Sequence, residues 1–321
     1  MGIEQPGGDR RGTSAGQTPV LWTDVGPRDG LQNISTTVPT EVKVRLVRGL
    51  LEAGASRVEA TSFVSPTWVP QLGDAAEVLA ALGPELSPRL RVLIPNRRGL
   101  ELALANGVGN VLVTIAATDS FNRRNVSRDV AGSLRDLEGI VADAGAAGCR
   151  VDVALSVAFG CPFEGTVPAG RVVTLVDELV GRGVDEVGLA DTIGVAGPGE
   201  VHDLVELCRP RVAGSRLALH VHDTRGQGVA NVVSAYRSGV TRFDGSVAGV
   251  GGCPFAPRST GNVCSEDALL ALHDLGAESG CDLDRYVEVA RQLARDLDRE
   301  LPGKLHRAGL WSGRPLQEAT A

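Results

Sequence analysis

Val20-Leu21-Trp22-Thr23-Asp24-Val25-Gly26-Pro27-Arg28-Asp29-Gly30 is an apolar run of strand character that passes directly into glycine, proline and two opposite charges. A buried strand ending this way leaves its charges on a turn at the strand's carboxyl end, where α/β folds collect their chemistry. In such a turn Asp29 is a candidate metal ligand or base and Arg28 a candidate oxyanion partner. A solvated Arg-Asp pair in a Gly-Pro turn would read the same way in isolation.

Seven further β-rich runs follow, at Arg57-Phe63, Arg91-Pro95, Asn110-Ala116, Arg150-Val157, Val184-Ala190, Arg216-Val221 and Thr241-Val247. Segments of helical period separate them: 40–53, 74–82, 98–105, 126–147, 168–182, 198–212 and 226–238. Gly54, Gly107, Gly148, Gly183 and Gly239 stand where helices commonly stop. Eight strands alternating with helices predict an α/β chain closed as a (β/α)8 TIM barrel. An open dinucleotide-binding sheet is disfavoured, because no G-x-G-x-x-G follows the first strand. Two more helical stretches, 265–275 and 283–301, supply the last barrel helix and a C-terminal cap. The expected organisation is a disordered leader at 1–18, a catalytic barrel at 19–280, and a helix and tail at 281–321 packed on it.

With 321 residues, 43% hydrophobic, the chain can bury one large core. A net charge of −7 without a dense basic run argues against nucleic acid. Residues 1–18 lack both the apolar core of a signal peptide and the acid-free pattern of a transit peptide. No stretch approaches the roughly 20 apolar residues of a membrane span, so the expected location is cytoplasmic. Six cysteines without C-x-x-C spacing fit reduced thiols.

The barrel reading places the polar residues at the strands' carboxyl ends: Asp24 and Asp29 after strand 1, Asp191 after strand 6, His220 and His222 at strand 7, Asn262 after strand 8. His220-Val221-His222 puts two imidazoles on one face of a strand, a metal-binding spacing. With Asp29 and the Asn262 amide oxygen they form a mixed nitrogen and oxygen donor set suited to Mg2+ or Mn2+, and compatible with Zn2+. Glu59 is a carboxylate within an apolar strand and calls for a cation such as Arg28. Asp191 reads equally as a general base or a helix cap, and Asp223 reads as a carboxylate orienting an imidazole or, in preference, as a cap for the helix near Gly226. Cys253, in the glycine-rich Gly249-Val250-Gly251-Gly252-Cys253-Pro254-Phe255, is a candidate proton donor on a lid, although a lone cysteine is more often a small buried residue.

The chain resembles the 3-hydroxy-3-methylglutaryl-CoA lyase family, a branch of the DRE-TIM metallolyases. The resemblance is carried by VGPRDGLQN (25–33), TSFVSPTWVPQLGD (61–74), GCPFEG (160–165), ADTIGV (190–195), HVHDTRGQ (220–227), and SVAGVGGCPF with GNVCSED between 246 and 267. It implies that Asp29, His220, His222 and Asn262 bind a divalent cation, that Arg28 stabilises enolate charge, and that Glu59, Asp191, His220 and Cys253 serve catalysis. Arg28 and Gln32 would contact substrate. It implies cleavage of 3-hydroxy-3-methylglutaryl-CoA, or a close 3-hydroxy acyl-CoA, to acetyl-CoA and acetoacetate, by a homodimer. Ile34-Ser35, Asp298 and Glu300 depart from the family pattern, and acidic groups near a CoA site would repel its phosphates. The rival readings are a lyase or aldolase for another 3-hydroxy acid thioester, a Claisen-type synthase of the same superfamily, and a non-catalytic metal-binding barrel.

Overall fold

The computed structural model describes residues 19–212, 216–252 and 261–311. Eight strands close a parallel barrel: β1 (Leu21–Asp24), β2 (Arg57–Ser62), β3 (Leu90–Leu93), β4 (Asn110–Ala116), β5 (Arg150–Ser156), β6 (Glu186–Asp191), β7 (Leu217–Val221) and β8 (Arg242–Gly245). Each pairs with its neighbours in sequence, and β8 closes on β1 with Asp24 opposite Gly245. The strands are faced by side chains within and by helices without, so near-continuous burial is required of them, and every residue of β2 is buried. Trp22 of β1 is fully buried, stacks on Phe243 and donates its indole N–H to Ser265 Oγ at 3.1 Å.

The helical layer comprises α1 (Thr40–Glu52), α2 (Ala75–Leu82), α3 (Arg97–Ala105), α4 (Asp119–Val126), α5 (Val130–Ala146), α6 (Ala169–Gly181), α7 (Pro198–Cys208), α8 (Gly228–Arg237), α9 (Ser265–Asp274), α10 (Leu283–Asp296) and α11 (Leu305–Ala308). The helical run expected over 126–147 is divided: Ser127 takes a left-handed backbone (φ 58°), and Asp129 caps α5 by accepting the Gly132 N–H at 2.7 Å. The last long helix stops at Asp296 rather than 301, because the chain turns at Asp298 (φ 46°). The five glycines marked as helix stops all have positive φ, which side chains with a Cβ rarely adopt. α10 lies against α1, with Val289 on Gly49 and Arg45 paired to Asp296 at 2.8 Å. The expected leader, 1–18, and the last ten residues of the expected tail lie outside the described residues.

The barrel interior is charged. Arg57 of β2 reaches Asp152 of β5 (2.6 Å) and Glu186 of β6 (2.7 Å), strands that are not its neighbours, so these contacts cross the lumen. Arg242 of β8 joins the same glutamate at 2.8 Å. One residue pair further along the strands, Arg91 of β3 bridges Glu59 of β2 (2.6 Å) and Asp244 of β8 (2.7 Å). These layers form the floor beneath the strands' carboxyl ends.

Candidate metal centre and active site

The first strand turns over abruptly. The Val25 carbonyl accepts the amides of Arg28, Asp29 and Gly30 at 3.2, 2.8 and 3.3 Å, which winds Gly26–Gly30 into a wide π-helical turn in place of the open loop its composition suggests. A side chain at Gly30 would sit 2.6 Å from Val250, so this turn packs directly on the segment that follows β8. Asp24 holds the two together. It accepts the Gly26 and Val247 amides and the Ser265 hydroxyl, and burial raises its pKa to about 7. Its placement is that of a brace rather than a ligand.

Arg28 and Asp29 are thereby buried at the mouth of the barrel. Arg28 grips the fully buried Glu59 through Nε and Nη2, and donates Nη1 to Asp29 Oδ1 at 2.7 Å. The Arg28-Glu59 pair predicted from the sequence therefore forms, and Arg91 holds the other Glu59 oxygen. Asp29 is central: Oδ1 also accepts Gln32 Nε2 at 2.8 Å, and Oδ2 accepts Asn262 Nδ2 at 2.9 Å and lies 3.9 Å from His222 Nε2. Burial would raise the Asp29 pKa, but Arg28 and the two histidines outweigh it and keep the carboxylate ionised.

The imidazoles of His220 and His222 face the same region, their ring centres 5.2 Å apart. Ligand atoms of Asp29, His220 and His222 all lie within 4.8 Å of one another. Neighbouring ligands of one such divalent ion stand about 3–3.4 Å apart and opposite ones about 4.2 Å, so shifts of about an ångström close the set on a cation. Asn262 is brought in because the strand-like segment after Gly261 pairs with the end of β7: Asp223 N–H bonds the Gly261 carbonyl at 2.8 Å and Val263 N–H the Val221 carbonyl at 3.0 Å. Two buried atoms here lack any partner, His222 Nδ1 and Asn262 Oδ1. An orphaned buried acceptor is costly, and the Asn262 amide oxygen, near the Asp29 carboxylate and His222 Nε2, is what a divalent cation would satisfy. The residues fit a metal.

The two histidines differ in charge state. Burial and the adjacent His220 push the His222 pKa down to about 4, whereas for His220 the effect of burial is overcome by Asp244 and Asp29, which raise it. His222 thus remains neutral in the folded chain at pH values where an unfolded histidine takes a proton. The His222 contribution to stability should fall as pH drops from about 6.5 towards 4, since only the unfolded state binds that proton, while the raised carboxyls of Asp24 and Asp191 act in the opposite sense. In urea titrations the wild type should lose roughly 3 kcal/mol more than His222→Gln across that window. Parallel pH profiles would contradict a buried neutral His222.

Asp191 lies fully buried at the end of β6. Its oxygens accept the Val195 and Ala196 amides at 2.9 and 3.0 Å, and burial raises its pKa. It is not the cap of α7, which begins after Gly197. Asp223 accepts the amide of Gly228, the first residue of α8, at 2.6 Å, although the cap position of that helix is Gln227. Cys253 lies outside the described residues. The sequence reading passed over Arg91 and Asp244; a charged residue inside a buried strand, the signal that singled out Glu59, was present at both.

A protein-family model described as HMGL-like matches residues 19–293. The chain belongs to the HMGL-like family. This HMGL-like protein is 38% identical over 285 residues to hydroxymethylglutaryl-CoA lyase YngG of Bacillus subtilis (strain 168), covering 89% of this chain and 95% of that one. It is 40% identical over 289 residues to the mitochondrial hydroxymethylglutaryl-CoA lyase of Bos taurus, covering 90% and 89% respectively. Among solved structures, an HMG-CoA lyase from Acinetobacter baumannii in complex with coenzyme A and 3-methylmalate matches with a TM-score of 0.88 and 34% identity, over 93% of this chain and 98% of that chain. The carboxyl transferase domain of Rhizobium etli pyruvate carboxylase, 19% identical with a TM-score of 0.69, shares the HMGL-like protein's fold.

Proposed function

We propose that this protein is a divalent-metal-dependent carbon-carbon lyase that cleaves 3-hydroxy-3-methylglutaryl-CoA to acetyl-CoA and acetoacetate. The observation that carries this is the meeting of Asp29, His220, His222 and Asn262 at one point of the barrel mouth beside Arg28. Relatives that bear the lyase name at 38–41% identity support it.

The cation, Mg2+ or Mn2+ by donor type and with Zn2+ also compatible, would be held by Asp29, His220, His222 and the Asn262 amide oxygen. When bound it would supply positive charge to the substrate's hydroxyl and carboxylate oxygens. The reaction needs the tertiary hydroxyl proton removed, the C2-C3 electron pair passed to the thioester fragment as an enolate, and a proton returned to that carbon. Asp191, a buried carboxylate whose pKa is raised, is suited to holding a proton. Cys253 is the candidate for returning one to the enolate, with His220 the alternative in a state where its ring nitrogen is not held by the cation. Gln32, fixed on Asp29, would contact substrate.

Arg28 would stabilise charge on the thioester oxygen. Its guanidinium spends three of five N–H groups on Glu59 and Asp29, which fix its plane, and two remain. Arg28→Lys has three donors on a single nitrogen in place of a planar five-donor fork, so it cannot hold Glu59 and Asp29 as Arg28 does and still present two N–H groups. It should lower kcat by about 10²–10³-fold with KM nearly unchanged. Steady-state kinetics decide, and a kcat within threefold of wild type would remove Arg28 from this role.

Asp298 and Glu300 are exposed just beyond α10, which favours also assaying other thioesters. A panel of 3-hydroxy-3-alkylglutaryl-CoA esters with Mg2+ should release acetyl-CoA, fastest from the 3-methyl compound. Acetyl-CoA from none of them would sink the lyase reading, and faster release from a larger alkyl group would reassign the substrate. We read residues 19–280 as the catalytic unit, with 281–321 packed on it. No described helix is long and apolar enough to cross a membrane. A cytoplasmic location is our reading; relatives are named both cytoplasmic and mitochondrial. A homodimer is the assembly we expect, and light scattering on the purified chain tests it.

A further inference from the structure

Beneath the proposed ligands, β7 and β8 run side by side with His220 in register with Asp244. His220 Nδ1 lies 3.7 Å from Asp244 Oδ2, slightly beyond a hydrogen bond. Asp244 does not owe its position to His220. Arg91, 2% exposed, holds the same oxygen at 2.7 Å and is itself fixed by Glu59 at 2.6 Å and by Glu186 at 3.6 Å. The other oxygen, Oδ1, is buried without any hydrogen-bond partner. Asp244 is thus a carboxylate clamped from below, with an unspent acceptor, beside the Nδ1 of His220.

We propose that Asp244 is a positioning residue for His220: clamped by Arg91, it accepts a hydrogen bond from His220 Nδ1–H and leaves Nε2 as the ring nitrogen with a lone pair for the cation. A histidine ligand generally needs its second nitrogen held by an acceptor, which fixes both ring orientation and tautomer. The same Arg91 carries Glu59 and, through it, Arg28. One buried guanidinium therefore sets the orientation of both His220 and Arg28.

The proposal rests on His220 being a cation ligand, and the first measurement is made without a cation so that the two can fail separately. In wild-type chain labelled with 15N-histidine and treated with EDTA, at a pH where the ring is neutral, His220 should show the Nδ1–H tautomer. Its signal is assigned by its loss in His220→Gln. Asp244→Asn, checked for folding by circular dichroism, should shift His220 towards a mixture of tautomers. It should also weaken Mn2+ binding by about 10–100-fold in an electron paramagnetic resonance titration. An Nε2–H tautomer in the wild type would overturn the proposal, as would a folded Asp244→Asn with wild-type tautomer and Mn2+ affinity. If Asp244→Asn does not fold, the wild-type tautomer alone decides. Absence of Mn2+ binding by the wild type, with the Nδ1–H tautomer present, would instead count against the metal reading.

Discussion

His222→Ala is expected to abolish metal-dependent cleavage, lowering kcat by at least about 10³-fold while the chain still folds. The activity loss follows from the donor set. Asp29, His220 and Asn262 remain, but the neutral imidazole, which competes least with protons, is removed. A metal's Lewis-acid contribution is worth several kcal/mol, and about 4 kcal/mol corresponds to that factor. The stability side is mild for a definite reason. His222 Nδ1 is buried without a partner, so truncation removes an unsatisfied polar atom along with its packing, and the two effects oppose. Circular dichroism and a Mn2+ titration accompany the kinetics. Retained activity in a folded variant would remove the paired histidines from the proposed metal set.

Arg91→Met should have the largest effect on stability, a loss of at least about 3–5 kcal/mol in urea unfolding. The substitution keeps most of the apolar stem and deletes the one cation shared by Glu59, Asp244 and Glu186. Glu59 would retain Arg28, and Glu186 would retain Arg57 and Arg242, but Asp244 would face only His220. Burial would raise the Asp244 pKa, and Arg91 is the leading reason it lies well below the usual carboxylate range. Removing one partner of a buried ion pair leaves a charge that cannot be rehydrated, hence the large cost. The exposed Arg98-Glu101 pair on α3 is the control: Arg98→Met should cost less than about 1 kcal/mol. A loss at Arg91 as small as at Arg98 would mean that the barrel floor is not held by these contacts.

The barrel was legible because its signals are local. Strands covered on both sides read as short, largely apolar runs carrying few charges, and glycines recur where the helical pattern between them stops. The meeting of the candidate ligands was legible for a related reason: the i, i+2 spacing of His220 and His222 is fixed by strand geometry, and a parallel barrel brings all strand ends to one rim. What escaped depends on partners far along the chain. Arg91 and Asp244 read as charges within apolar strands, but neither has an identifiable partner until β8 lies across from β3 and register sets Asp244 beside His220. The π-helical turn was also unreadable from composition, because three amides converge on the Val25 carbonyl and no residue type announces that. The break at Ser127 escaped because a serine in left-handed conformation leaves no signature comparable to glycine.

The most direct test of the account is to strip the full chain with EDTA, add 3-hydroxy-3-methylglutaryl-CoA, and follow acetyl-CoA and acetoacetate before and after returning excess Mg2+ or Mn2+. The account predicts no product before the metal is returned and equimolar release of both products afterwards. Equal rates in both conditions, or failure to form either product with metal present, would contradict it.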